Sequence, residues 1–194
     1  MGGVTLGIIA GGRGSRLGGV DKAWLRRGGV PQVQRLVGRL SEGVDGVLVS
    51  ANRDLDAYAR IGLEAVPDAV AGIGPLAGLD ALARACAGDW LLTAPVDLVN
   101  VNDCLLRRLR AKGGQGAFAV DDDGPQPLVA LWHLPTLRPA LAAAITVGDL
   151  AVHRLQARLG MAPLRLEGVR FGNLNTPQDL ADAGVEAGGP QTDD

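Results

Sequence analysis

The sequence predicts an α/β protein, with a mostly parallel sheet flanked by helices and a small antiparallel portion. Three observations carry that expectation. Short β-branched apolar runs alternate with helical patterns, which implies parallel pairing through right-handed crossovers. A glycine-rich loop bearing cations follows directly on the first strand, where open α/β sheets place their ligands. Further along, Asp121-Asp122-Asp123-Gly124 separates two apolar runs and gives a strong hairpin-turn signal, the source of the antiparallel part.

Composition sets the outer bounds. The chain has 194 residues, 47% hydrophobic and 21% charged, enough for one ordinary globular domain with a proper core. That domain is expected over residues 1–184, and the polar, Gly-rich stretch 185–194 is expected to be a disordered tail. Only 3% of residues are aromatic and the net charge is −2, so neither stacking platforms nor a basic footprint for nucleic acid are expected. Cys86 and Cys104 are too few for a disulfide scaffold or a Cys-rich zinc site and read as free thiols in apolar helices. No apolar run approaches the roughly 20 residues of a membrane span and the start does not read as a signal peptide, so a cytoplasmic protein without membrane contact is expected.

Val4 to Ile9 has the length and branching of a buried strand. It gives way to Ala10-Gly11-Gly12, and Gly14, Gly18 and Gly19 follow with Arg13, Arg16 and Lys22 interspersed. Glycines let backbone N–H groups approach an anion closely, and the cations add formal charge, so the loop reads as a phosphate cradle. Two better-known loops do not fit. No Gly-Lys pair exists for a P-loop, and the third glycine of a dinucleotide fingerprint would fall on Leu17.

A turn at Arg27-Gly28-Gly29 and Pro31 introduce a helix whose Val33, Leu36, Val37 and Leu40 share one face, leaving Gln34, Arg35 and Arg39 to solvent. Gly46 to Ser50 is the second strand, with Asn52 just beyond it. Asp54 is the expected N-cap of a helix through Arg60. A short strand from Leu63 to Val66 ends in Pro67-Asp68. Asn52 and Asp68 therefore fall at carboxyl ends of strands, on the ligand-binding edge. Gly72 to Gly78 is either a plain connection or a ligand loop, and it leads into a helix from Leu76 to Ala85.

Asp89 to Ala94 is the central strand candidate, ending in Pro95-Val96-Asp97. A carboxylate at that edge would repel a triphosphate unless a hard divalent cation such as Mg²⁺ sat between them; by itself Asp97 fits a helix cap or turn as well. Helices are expected from Val101 or Asn102 to about Lys112, over 134–144 and over 149–160. Strands are expected at 116–120, 126–132 and 163–166. The three carboxylates at 121–123 are better explained by the turn than by a metal. His133 and His153 lack metal-ligand spacing. Thr176 is the expected N-cap of a last helix with Pro177 at its first position.

Five segments in order, AGGRGSRLGGVDK, SANR, PD…GPLAG, PVD and NLNTP, spanning about residues 4 to 183, resemble a known family. The first is similar to the LAGGxSxRMGxxK signature of nucleotidyltransferases with a Rossmann-like, glycosyltransferase-A-like fold, with Leu17 in place of Met. The variant AGG…R…GGVDK resembles the molybdenum cofactor guanylyltransferase (MobA) family most. That resemblance implies transfer of GMP from GTP to the terminal phosphate of molybdenum-bearing molybdopterin, with loss of pyrophosphate. It implies catalytic roles for Arg16, Lys22 and Asp97, with Asp97 holding Mg²⁺ (Mn²⁺ as a substitute). It places Ile9, Ala10, Gly11, Gly12 and Arg13 on the base and phosphates, and Ser50, Asn52 and Asp68 near guanine or ribose. Gly74, Pro75, Leu76 and Gly78 would border the nucleotide, and Asn173 and Asn175 the molybdopterin.

The implied partners are these two substrates and, transiently, cofactor-insertion proteins or molybdoenzymes, with the chain a monomer or weak oligomer. Two departures stand out. The family commonly has Asn where this chain has Ser50, and Leu98-Val99-Asn100 replaces the frequent Thr-Pro or Met-Pro after the metal-binding Asp. Related cytidylyltransferases tend to read LAAG in the first loop, so Gly11 suggests room for a purine. The competing expectations are a molybdopterin cytidylyltransferase, a sugar-phosphate nucleotidyltransferase, or a non-catalytic nucleotide-binding module of the same fold.

Overall fold

The computed structural model describes residues 2–11, 21–70 and 72–186. In chain order the strands are β1 (Val4–Ile9), β2 (Arg26–Arg27), β3 (Val30–Pro31), β4 (Gly46–Ser50), β5 (Glu64–Val66), β6 (Trp90–Pro95), β7 (Gly116–Asp121), β8 (Gly124–His133) and β9 (Ala162–Arg165). The helices are α1 (Gln32–Leu40), α2 (Leu55–Arg60), α3 (Pro75–Ala85), α4 (Leu105–Arg110), α5 (Leu134–Thr146), α6 (Val152–Leu159) and α7 (Pro177–Asp182). A short 3-10 helix spans Lys22–Trp24.

Seven strands form one sheet in the order β5-β4-β1-β6-β8-β7-β9, with β6 central as expected. The pairs β5/β4, β4/β1, β1/β6 and β7/β9 are parallel, and β6/β8 and β8/β7 antiparallel. The antiparallel part comes from the hairpin predicted at Asp121–Gly124. One face of the sheet packs Leu6, Ile8 and Leu92 against Val33, Leu36, Leu40, Tyr58 and Leu109, from α1, α2 and α4. The other packs Leu91 and Trp132 against Leu79, Leu82, Leu137 and Leu155, from α3, α5 and α6. Each face thus seats the apolar stripe of its helices, giving three layers.

Several boundaries differ from expectation, each for a local reason. Pro31 ends β3 and stands at the N-cap of α1, its ring fixing the entry without joining the helix. Asp54 does sit at the N-cap of α2, but in a left-handed conformation (φ 54°), and its side chain makes no capping bond. The helix expected from residue 101 starts only at Leu105. The preceding segment is drawn off by the far end of the chain: Val99 and Asn100 donate to the Phe171 carbonyl at 3.2 and 2.8 Å. Thr176 caps α7 as expected, in a reciprocal capping box with Asp179. Beyond the boundary expected at 184, Glu186 still pairs with Arg26 as an antiparallel bridge.

The register is what builds the site. Ile9 is level with Ser50 on one side and Pro95 on the other, and Ser50 is level with Val66. These are the last paired residues of four parallel strands. Gly11, Asn52, Asp68 and Asp97 each lie two residues past that row. One edge of the sheet therefore presents all four.

Candidate active site

Two clusters stand on this edge. In the first, Asp68 is gripped from three directions. Ser50 Oγ donates to its Oδ1 at 3.1 Å, Asn52 Nδ2 donates to its Oδ2 at 2.8 Å, and its own backbone N–H donates to Asn52 Oδ1 at 2.9 Å. Ser50 is fully buried, and its hydroxyl bonds the carboxylate from below. A carboxylate has about four acceptor positions, and two side-chain donors leave capacity for a ligand's N–H or O–H groups. Gly11 lies over the cluster: a Cβ placed there would come within 3.7–3.8 Å of Asn52 Nδ2, Asp68 Oδ2 and Ser50 Oγ.

The second cluster centres on Lys22. Its Nζ donates to Asp97 Oδ2 at 2.8 Å and to Asn175 Oδ1 at 2.6 Å. Lys22 and Asp97 side chains are each 20% exposed, so the pair is partly shielded yet reachable. Asp21 fixes the approach of Lys22 by capping the short helix, accepting from the Ala23 N–H at 2.9 Å. Burial pushes the Asp21 carboxyl up, partly offset by that bond and by the Arg53 charge. Behind it the Trp24 and Tyr58 rings pack in the core with centroids 4.8 Å apart, tilted 42° to each other.

Asn175 reaches Asp97 because the two flanking segments run together as a ribbon. Leu98 bridges Asn173, and Leu174 N–H donates to the Asp97 carbonyl at 2.9 Å. Asn175 and Thr176 N–H groups in turn both donate to Asp179 Oδ2, at 3.0 and 2.8 Å. From α1, the buried amide of Gln32 donates to the Leu98 carbonyl at 2.6 Å, holding the residue next to Asp97.

Not every expected residue faces the edge in the same way. Ile9 and Ala10 have their backbone engaged in the sheet, through Val96 N–H to Ile9 O at 3.0 Å and Ala10 N–H to Ser50 O at 2.9 Å. Gly11 is the exposed position. Leu76 is fully buried, and Gly78 presses so close that an added Cβ would lie 2.6 Å from Ser50 Oγ. These two residues seat α3 beneath Ser50. Gly74 and Pro75 are exposed at the mouth of that helix. Asn173 joins the ribbon through its backbone, and only Asn175 enters the cluster. Gly12, Arg13 and Arg16 lie outside the described residues.

Sequence reasoning missed Gln32 and Asp21. Asp21 had a signal, an Asp directly before Lys-Ala-Trp in cap position; Gln32 had none, because its partner lies 66 residues away. No group of three or more His, Cys, Asp or Glu able to hold a metal occurs among the described residues. The oxygen donors that are present, Asp97 with Asn175 beside it, suit a hard cation that keeps waters and shares phosphate oxygens, such as Mg²⁺ or Mn²⁺.

Residues 6–162 match the MobA-like NTP transferase domain. The chain is 33% identical over 181 residues to the molybdenum cofactor guanylyltransferase of Yersinia pseudotuberculosis, covering 91% of this chain and 92% of that protein. Among solved structures, molybdopterin-guanine dinucleotide biosynthesis protein A from Archaeoglobus fulgidus has the same fold at a TM-score of 0.75 and 23% identity. It covers 93% of this chain and 96% of that one. A nucleotidyl transferase from a Methanothermobacter species aligns at a TM-score of 0.73 and 23% identity, over 92% and 94% of the two chains.

Proposed function

The chain belongs to the MobA-like NTP transferase family, and we propose that it transfers GMP from GTP to the terminal phosphate of molybdenum-bearing molybdopterin, forming the guanine dinucleotide and pyrophosphate. The observation that carries this reading is the pairing of two clusters on one sheet edge. One is the Asp68 carboxylate held by Ser50 and Asn52 below the exposed Gly11; the other is a Lys–Asp–Asn group suited to phosphates and a hard cation.

In this reading Asp68 takes the N1–H and N2–H₂ donors of guanine, a donor pair that cytosine does not offer, with Asn52 and Ser50 keeping the carboxylate in place. Gly11 leaves the space above them for a purine. An oxygen of the acceptor's terminal phosphate attacks the α-phosphorus in line, the bond from that phosphorus to the bridging oxygen breaks, and pyrophosphate leaves. Positioning and charge neutralisation dominate such chemistry. Lys22 exchanges Asp97 for phosphate oxygens and balances the charge growing on pyrophosphate, aided by Arg16 and Arg13, with Gly12 lining the phosphates. Asp97 and the Asn175 oxygen would hold the divalent cation, which when bound would neutralise phosphate charge. Gln32 and the 97–100 ribbon keep Asp97 from moving as Lys22 changes partner.

No helix among the described residues is long and apolar enough to cross a membrane. The proposal includes a cytoplasmic setting, a monomer or weak oligomer, and transient hand-over to cofactor-insertion proteins or molybdoenzymes. Calorimetric titration of GTP and CTP, each with and without Mg²⁺, tests the core of it. GTP binding that Mg²⁺ strengthens, with CTP weaker, supports guanylyl transfer. A preference for CTP moves the chain to the cytidylyl reaction, and binding of neither removes the nucleotide reading.

A further inference from the structure

We propose that the α1 side of the molecule carries a second anion site, separate from the nucleotide edge, that takes a small organic phosphate with two or more negative charges. A cleft of about 570 Å³ opens between α1, the loop after Asp97 and the loop before Phe171. Four arginines from three separate parts of the chain line it: Arg27 from the β2–β3 hairpin, Arg35 and Arg39 from α1, and Arg170. Gly28 and Gly29, at φ 58° and 79°, make the tight turn that brings Arg27 there. Leu36, Leu98 and Phe171 supply an apolar floor.

The charge pattern is what points to a ligand. The chain carries 21 Asp and Glu and a net charge of −2, yet among the described residues no carboxylate lines this cleft. Arg27, Arg35 and Arg39 have no ion-pair partner among the described residues, and Arg170 has only a loose, exposed pair with Asp123 at 3.6 Å. Arg35 and Arg39 stand one helical turn apart, a like-charged pair that by itself weakens α1. Guanidiniums match phosphate oxygens by their forked donors, four arginines line one cleft, and its volume falls within the range of small-molecule pockets. Phe171 is the one aromatic residue in the lining, too few to stack the successive bases of a nucleic-acid strand.

The cleft does not share its lining with the catalytic edge: Lys22, Asp97, Ser50 and Asp68 are all absent from it. Between the two runs the ribbon in which Asp97 and Leu174 form one end and Asn100 and Phe171 the other. Two residues, Leu98 and Val99, separate Asp97 from Asn100, so the two lie within about 10 Å along the chain. Gln32 lies at the cleft wall and holds the Leu98 carbonyl, so an occupant here would press on the same ribbon.

Titration of fructose 1,6-bisphosphate into the full chain at low salt, first alone and then with saturating GTP and Mg²⁺, tests the site. The probe is expected to bind with one-to-one stoichiometry in both conditions. R35Q/R39Q and, separately, R27Q are expected to weaken the probe, the double variant by about tenfold or more, while GTP affinity stays within about twofold. Lys22→Ala should do the reverse. Displacement of the probe by GTP, loss of the probe in Lys22→Ala, or unchanged probe affinity in R35Q/R39Q would assign the binding to the phosphate cradle and overturn the proposal. So would the absence of binding by wild-type protein at millimolar probe.

Discussion

A methyl group added at Gly11 would meet Asn52, Asp68 and Ser50 at 3.7–3.8 Å, ordinary van der Waals contact, and it would cover the acceptor cluster. Gly11→Ala is therefore expected to fold normally, with a melting temperature within roughly 2 °C of wild type. GTP binding should weaken about tenfold or more, because the purine loses its place over Asp68. A variant that binds GTP as well as wild type would show that the base lies elsewhere. Asp68→Asn separates base reading from ribose reading. The amide of Asn presents donors where guanine needs acceptors, so the preference for GTP over CTP should collapse. Equal weakening of both nucleotides would place the ribose, which they share, against Asp68.

The β7–β8 hairpin shows the same economy in an element. Asp121 is buried, and burial alone would push its carboxyl up. Bonds from the Phe171 N–H, the Gln126 amide and the Asp123 and Gly124 N–H groups outweigh this and hold it below the ordinary carboxylate range. Its contribution to stability is therefore present above the unfolded value of about 4 and is lost as pH falls through the lower folded value. Asp121→Asn should be less stable near neutrality by roughly 1–3 kcal/mol, and its stability should fall less steeply on acidification. Urea unfolding at pH 7 and at pH 3 measures both; parallel losses in the two proteins would leave Asp121 without this role. The hairpin was legible from Asp-Asp-Asp-Gly, because turn chemistry is local. The bond from Phe171, 50 residues away, was not.

Across the molecule the same division between local and distant holds. Hydrophobic period and turn residues were enough to order the seven strands of the main sheet and the helices along the chain, but not to show the short β2/β3 pair or the late start of α4. The rule that ligands gather at strand carboxyl ends placed Asn52, Asp68 and Asp97 before any coordinates. What stayed hidden was pairing at long range: Lys22 with Asn175, 153 residues apart, and Gln32 with Leu98. Such contacts leave no periodic trace, and they convert a set of edge residues into two clusters. Their union makes a prediction about the whole fold. A ligand that bridges both clusters stabilises the native state by about 2.7 kcal/mol at one hundred times its dissociation constant. For a domain of this size that corresponds to a rise in melting temperature of roughly 5–10 °C. GTP with Mg²⁺ should produce such a rise and GTP alone a smaller one, since the Lys22–Asp97 pair must otherwise open without a cation to replace Lys22 at the carboxylate. In Asp97→Ala the increment due to Mg²⁺ should vanish while the shift from GTP alone persists. If the Mg²⁺ increment survived in that variant, the cation would be held by the phosphates without Asp97, and the second cluster would be reduced to Lys22 and Asn175.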